Sequence, residues 1–376
     1  MFGCKPPPIS PPSTPLPGPL ATLSYRGRGA AHNPANRFEP IEVLPDGDAL
    51  DALAAEDEDV APRTIFLKDT TRVLIARNNS PDIGFDASIN VYRGCEHGCI
   101  YCYARPTHEY FGLSVGLDFE TKIFVKQDAP ELLRAELMKK SWTPQVIVLS
   151  GVTDPYQPAE RRFRLTRRLL EVLLEFRNPV GIITKNHLIT RDIDVLSELA
   201  KLELVSVNIS VTSLRNDVQR VMEPRTATPA RRLDAIEKLA SAGIPVGAMV
   251  APIIPGLTDE EVPDILRALR DAGAQRAGYV MLRLPHAVKD IFERWLETHF
   301  PDRKDKVLNR VRSMRGGQLY DPRWGVRGRG EGIFADQIGA MFGATCRKLG
   351  LNTTRSRVRT DLFRRPAAGG QGDLFA

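Results

Sequence analysis

The sequence predicts an α/β fold: a partial (βα)6 TIM-like barrel with a disordered amino-terminal tail and a basic carboxy-terminal extension. Three observations carry that prediction. From about Ala87 onward, short apolar runs alternate six times with longer amphipathic segments. Alternation of this kind implies parallel strands joined by right-handed helical crossovers. No Gly-rich dinucleotide turn accompanies the units, which favours a barrel over the alternative, a doubly wound open sheet. At 376 residues, 42% of them hydrophobic and 26% charged, the chain is long enough to bury one large core plus extensions.

Residues 1–60 join a Pro-rich start to an acidic run, Asp46 to Asp59, with almost no apolar periodicity, and are expected to be a disordered tail. Within them, YRGRGAAHNPANRF (Tyr25 to Phe38) mixes Arg, Gly and aromatics and either folds back onto the body or touches a partner. The barrel is expected over residues 61–300. Its strands are read at Ser88–Tyr92, Val146–Ser150, Val180–Thr184, Leu204–Val211, Val246–Ala251 and Gly278–Arg283, each short and rich in Val, Ile or Leu. The helices between and after them fall at Pro130–Lys140, Arg162–Phe176, Arg191–Lys201, Pro229–Ala242, Thr258–Ala272 and Ala287–His299. Their apolar residues recur every three or four positions, as at Leu165, Leu169, Val172 and Leu173. Thr258 followed by Glu261 resembles a capping box.

Residues 301–376 form the basic extension. They hold 16 Lys and Arg against 7 Asp and Glu, a net of +9, whereas the whole chain carries +6, so residues 1–300 are slightly acidic. A basic end suits a polyanionic partner such as nucleic acid; a solvated Arg-rich surface gives the same composition. The longest apolar stretch, Val246 to Leu257, is broken by Pro252 and Pro255 and is too short to span a membrane. The first twenty residues lack the continuous apolar core of a secretory signal, so a cytoplasmic chain is expected. In that reducing compartment five cysteines suggest metal or redox chemistry rather than disulfides.

Cys95, Cys99 and Cys102 stand in a C-x3-C-x2-C spacing in INVYRGCEHGCIYCYARPTHEYFG, directly after the first strand. Fe–S clusters are normally held by four cysteines. Three in one loop, with Cys4 and Cys346 far away in sequence, can hold three corners of a cubane and leave one iron open to a chelating ligand. The competing reading is a zinc knuckle that adds His97 or His108. Gly94 and Gly98 suit a loop wrapped tightly around a cluster.

With Tyr101 just before the last cysteine, this motif resembles that of the radical S-adenosylmethionine (SAM) superfamily. The wider wording RGCEHGCIYCYARPTHEY, TDPYQPAE and EPRTATP looks like the bacterial branch related to spore photoproduct lyase. The resemblance covers about residues 86–300. It implies a [4Fe–4S] cluster held by Cys95, Cys99 and Cys102, S-adenosyl-L-methionine chelating the open iron, and a 5′-deoxyadenosyl radical that abstracts hydrogen from substrate. An electron donor such as flavodoxin or ferredoxin is implied as well. Spore photoproduct lyase returns hydrogen through a further cysteine. Here Cys346 lies beyond the barrel and Cys4 in the tail, so that reaction is not carried over.

Chemistry in such barrels gathers at the carboxyl ends of the strands, and the resemblance assigns SAM contacts there. Ser150, Gly151 and Thr153 stand where the superfamily carries a Gly-Gly-Glu-like element, and Asp154 can accept from an ammonium. Lys185 can meet a carboxylate. Ser210 and Thr212 alternate on one strand face and suit the ribose. Arg225 matches a position that lies near SAM in related proteins, and Val250 to Pro252 an apolar contact for adenine. Arg283 and His286 reach the rim with no assigned role. The terminal QGDLFA resembles the motif by which bacterial proteins bind the sliding clamp, with Gln371 as polar anchor and Leu374 and Phe375 as the apolar pair. Nucleic acid is the leading substrate class, with a peptide or small molecule as the alternative, and a non-catalytic zinc-bound nucleic-acid-binding module as the competing class.

Overall fold

The computed structural model of the chain describes residue 25 and residues 27–39, 62–354 and 358–366. The remainder of the expected tail, and the Gln371–Phe375 motif, lie outside the described residues.

Ten strands are described: β1 (Ile65–Lys68), β2 (Ile75–Arg77), β3 (Ala87–Ile89), β4 (Tyr92–Arg93), β5 (Lys122–Val125), β6 (Ile147–Leu149), β7 (Val180–Thr184), β8 (Val205–Ser210), β9 (Val246–Ile253) and β10 (Arg276–Met281). Seven form one sheet in the order β10-β9-β8-β7-β6-β3-β2. The six from β3 to β10 are parallel and adjacent in chain order, while β2 adds an antiparallel edge. An order that never reverses excludes the doubly wound alternative, which needs a switch point.

Each predicted strand–helix unit is present because its pattern can be buried. In the helix Leu165–Phe176, Leu165, Leu169, Leu170, Val172, Leu173 and Phe176 are all buried against the sheet's core. Each such side chain contributes about 1.5–3 kcal/mol.

The run SINVY, expected as one strand, divides at Asn90. Its Oδ1 accepts from the amides of Val152 and Thr153 at 3.0 Å each, and the chain leaves the large sheet there. β4 then pairs with β5 in a second sheet, ordered β1-β5-β4, that periodicity does not predict. The capping box at Thr258 is not formed. The Thr258 hydroxyl accepts from the Ile254 amide, and the Glu261 carboxylate turns away to Ser213, the Leu214 amide and Arg215. The helix itself begins at Val262.

Both flanks pack on this body. Of the two alternatives for Tyr25–Phe38, the structure shows folding back. The amides of Gly29 and Ala30 donate to Glu120 at 2.9 Å, Ser114 donates to the Pro34 carbonyl at 2.6 Å, and Arg37 pairs with Glu109. Beyond residue 300, the helix Pro301–Ser313 buries Val307, Leu308 and Val311 among Phe292, Trp295 and Leu296. The helix Ile333–Leu349 packs against Val262–Asp271. Residues 358–366 run along the amino ends of the strands. There the Arg359 amide meets the Glu203 carbonyl, the Arg364 amide that of Phe176, and Arg365 those of Lys139 and Trp142. Among the described residues no helix is long and apolar enough to cross a membrane.

His108 sits wholly inside this packing. Its Nε2 donates to the Lys122 carbonyl at 2.9 Å and its ring stands edge-on to Phe119. Burial lowers its pKa from 6.5 to about 4. Between those values the unfolded chain binds a proton that the folded chain refuses, so stability falls as pH drops from 6.5 towards 4, at about 1.4 kcal/mol per unit for this group. Denaturant titrations at stepped pH should show that loss in the wild type. His108→Phe should be weaker at neutral pH, for want of the Lys122 bond, and should show less of the acid slope.

Candidate functional site

The loop that leaves β4 carries the three cysteines to the carboxyl ends of the parallel strands. Cys95 and Cys99 are buried and Cys102 is partly so. The loop is held at almost every residue. The Cys95 amide donates to the Phe119 carbonyl at 2.8 Å, and Ile100 to that of Met222 at 3.0 Å. Gln157 clasps both sides of Cys95: its Oε1 accepts from the Glu96 amide and its Nε2 donates to the Gly94 carbonyl. Arg105, fully buried, donates to the carbonyls of Cys99, Val115 and Gly116 and pairs with Glu120 at 2.5 Å.

Glycine is required at the tightest point of this loop. Gly98 has φ +65°, and a Cβ there would stand 2.8 Å from Glu120 Oε2. Facing it, Gly29 of the amino-terminal strap approaches so closely that a Cβ would lie 1.8 Å from the Gly98 carbonyl oxygen.

The three thiols stand within one eight-residue stretch of this loop. Burial pushes all three above the ordinary thiol range, and the Lys185 ammonium opposes this at Cys99 and Cys102. The amides of His97 and Asp154 face the Cys95 sulfur, and those of Ala104 and Arg105 face Cys102. Amides directed at sulfur favour its thiolate form, the form that binds metal. Among the described residues no group of three or more His, Cys, Asp or Glu converges as a single ion requires. Neither histidine joins the thiols in such a group. His97 is buried between Asn186 Nδ2, 3.0 Å from its Nε2, and Asp154, 3.5 Å from its Nδ1, while His108, bonded to Lys122 through Nε2 and unpartnered at Nδ1, is enclosed by Phe111, Phe119 and Phe124. The donor set therefore fits a three-thiolate cubane better than a mononuclear site. Cys346 is buried in the core on the helix Ile333–Leu349 and takes no part.

The other singled-out residues surround this loop. After β6 the backbone turns sharply through Ser150 and Gly151, with φ of 151° and 112°. The Thr153 hydroxyl donates to the Tyr92 carbonyl. Asp154 is engaged at both oxygens. Oδ1 accepts from the Tyr156 amide and the Thr184 hydroxyl, and Oδ2 from the Lys185 amide at 2.7 Å. Lys185 Nζ donates to the Ala251 carbonyl at 3.0 Å and lies 6.0 Å above the Tyr101 ring. Ser210 is buried at the end of β8, its carbonyl taken by Arg232. Arg225 pairs with Glu96 at 3.2 Å and, through its amide, with the His97 carbonyl. Val250 is buried in the main core on β9, two residues before Pro252.

One residue that the sequence reading did not single out ties these together. Glu223, fully buried, accepts from the Tyr101 and Thr212 hydroxyls, pairs with Arg232 and lies 4.0 Å from Lys185. Burial alone would raise its pKa, but Arg232 and Lys185 outweigh burial and hold it at about 2. Its only sequence signal is its place in MEPRTATP, just after the short helix Asn216–Met222 that follows β8.

A family model described as the radical SAM superfamily matches residues 89–269, which begin at β3 and contain all three cysteines. The chain belongs to the radical SAM superfamily. An uncharacterized protein of Mycobacterium tuberculosis (strain ATCC 25618 / H37Rv) is 37% identical over 249 residues, covering 65% of this chain and 72% of the relative. An uncharacterized protein of Methanocaldococcus jannaschii is 31% identical over 173 residues, 46% of this chain and 62% of that one. Among solved structures, a spore photoproduct lyase mutant superposes with a TM-score of 0.56 at 16% identity, over 76% of this chain and 80% of the other. A second mutant of that enzyme, with bound AdoMet and dinucleoside spore photoproduct, superposes with a TM-score of 0.51 at 18% identity, over 76% and 77% of the two chains. These likenesses establish a shared fold of this radical SAM chain with that enzyme.

Proposed function

We propose that this chain is a radical SAM enzyme in which Cys95, Cys99 and Cys102 hold a [4Fe–4S] cluster with one iron open to S-adenosyl-L-methionine, and that its substrate is nucleic acid. The observation that carries the reading is the placement of three cysteines, two buried and one partly so, on one clasped loop at the carboxyl ends of the parallel strands, with no fourth cysteine beside them among the described residues. Six parallel strands in chain order support a partial (βα)6 barrel with that loop at its mouth. When bound, the cluster and its cosubstrate supply reductive cleavage of the sulfonium and a hydrogen-abstracting fragment.

The chain's own residues divide into those that contact the cosubstrate and those that hold them. Lys185, the cation facing two of the thiols, is suited to the methionine carboxylate. The Ser150–Gly151 turn, with Thr153 behind it, offers backbone groups to the amino end. Ser210 and Arg225 suit the ribose side, and Val250 to Pro252 the adenine. Asp154 and Thr212 serve by bracing Lys185 and Glu223, and Tyr101 by joining the cysteine loop to Glu223.

The nucleic-acid class is supported by the net charge of +9 over residues 301–376 and by the spore photoproduct lyase structures that hold a dinucleoside photoproduct. Anaerobically assembled protein incubated with dithionite and SAM should form 5′-deoxyadenosine. An iron- and sulfide-replete preparation that forms none would overturn the enzymatic reading, and zinc without sulfide would overturn the cluster.

A further inference from the structure

At the carboxyl end of β10 the chain enters a rim that the cofactor site does not use. Arg283 lies there with its guanidinium 4.7 Å above the ring of Tyr103, the residue after Cys102. Tyr103 is half-exposed and anchored by its hydroxyl to the Gly151 carbonyl. Behind Arg283 stands Arg315, 2% exposed, donating to the carbonyls of Leu282 and Val326. Each of these two arginines has a buried Nε–H with no partner. Neither makes an ion pair among the described residues; Asp82 acts on Arg283 and Asp321 on Arg315 only from longer range, while both carboxylates are paired with other arginines, so the rim keeps an excess of positive charge.

A loop beside them carries Trp324, 58% exposed. It is a fixed loop. Gly325 donates to Asp82 at 2.7 Å, Arg327 binds Asp82 and Ser80, and the Gly328 carbonyl accepts from Met281. Asp82 thus ties the turn before β3 to the loop between the helices Pro301–Ser313 and Ile333–Leu349. Asp321, Glu331 and Asp82 answer Arg323 and Arg327, whereas Arg283, Arg315 and Arg329 make no ion pair among the described residues. A large exposed aromatic on a fixed loop beside surplus guanidinium groups is the pattern of a strand-binding surface, where rings stack on bases and arginines meet phosphates.

We infer that this rim, beside the cysteine loop, binds a nucleic-acid strand, with Arg283 meeting a phosphate, Arg315 adding positive charge from behind it, and Trp324 stacking on an unpaired base. The assignment rests on the nucleic-acid reading above and names the surface that serves it.

The test is the binding of a fluorescein-labelled single-stranded oligonucleotide, followed by anisotropy at two salt concentrations, to the full-length cluster-loaded protein. Trp142 and Trp295 are buried, so quenching of tryptophan emission by an unlabelled strand reports on Trp324. The wild type should bind with a steep salt dependence. Trp324→Ala should bind about tenfold more weakly, Trp324→Phe should restore most of that loss, and Arg283→Gln should lower the slope of log affinity against log salt by about 0.7. If the wild type binds and Trp324→Ala and Arg283→Gln match it in affinity and slope, this surface is not the site. If the wild type does not bind even at low salt, the nucleic-acid reading itself fails.

Discussion

Cys99→Ala is expected to empty the metal site. Anaerobic reconstitution should load the wild type with about four irons and as many sulfides per chain, and the variant with almost none, since two thiolates rarely retain a cubane. The fold should survive. Cys99 helps to hold the loop through its carbonyl, which accepts from Arg105 Nε at 3.0 Å and from the Cys102 amide at 3.2 Å, and alanine keeps that carbonyl. Loss of metal with an unchanged circular dichroism spectrum would therefore point to the sulfur itself. Cys346→Ala, in the core of a distant helix, is the matched control and should load fully. Equal loading of Cys99→Ala and wild type would mean that the three-thiol set is not the ligand set.

The second large effect is expected at Glu120. Its carboxylate is buried and receives Arg105 Nη2 together with the amides of Gly29 and Ala30. Glu120→Ala leaves the Arg105 charge buried without its counter-ion and orphans two backbone donors. A loss of about 3–5 kcal/mol in unfolding free energy is the scale for a broken buried pair. Chemical denaturation reads that loss. Limited proteolysis reads a second consequence, because a strap no longer held at Gly29 and Ala30 should be cut within residues 27–39 before the body is touched. A variant that unfolds within 1 kcal/mol of the wild type, with the strap still protected, would show that Glu120 does not hold the two together.

The six parallel strands of the large sheet were legible because they are runs of Val, Ile and Leu between helices such as Leu165–Phe176, whose buried face repeats every three or four residues. β1, β2, β4 and β5 were not legible. They are two to four residues long, and β1 is mostly exposed, so neither periodicity nor hydrophobicity distinguishes them from loop. The cysteine trio declares itself by spacing alone. Its supports do not, because a buried carboxylate reads in sequence like a surface one. Glu223 meets Tyr101 across 122 positions, and Glu120 meets Gly29 across 91. Asp154, Lys185 and Thr212 were found as polar residues after strands, but their bonds to neighbouring loops depend on which strand ends stand side by side. The contact of YRGRGAAHNPANRF with the cysteine loop follows from the shape of two glycines, Gly29 and Gly98, that sequence alone does not bring together.

The strap over residues 358–366 has a bearing on how the molecule can be handled and tethered. It is fastened at Phe176, Glu203, Lys139 and Trp142, all on the pole from which the strands start, whereas the thiols occupy the pole where the strands finish. A fluorophore or surface linker attached within residues 358–366 therefore sits at the pole opposite the cysteine loop.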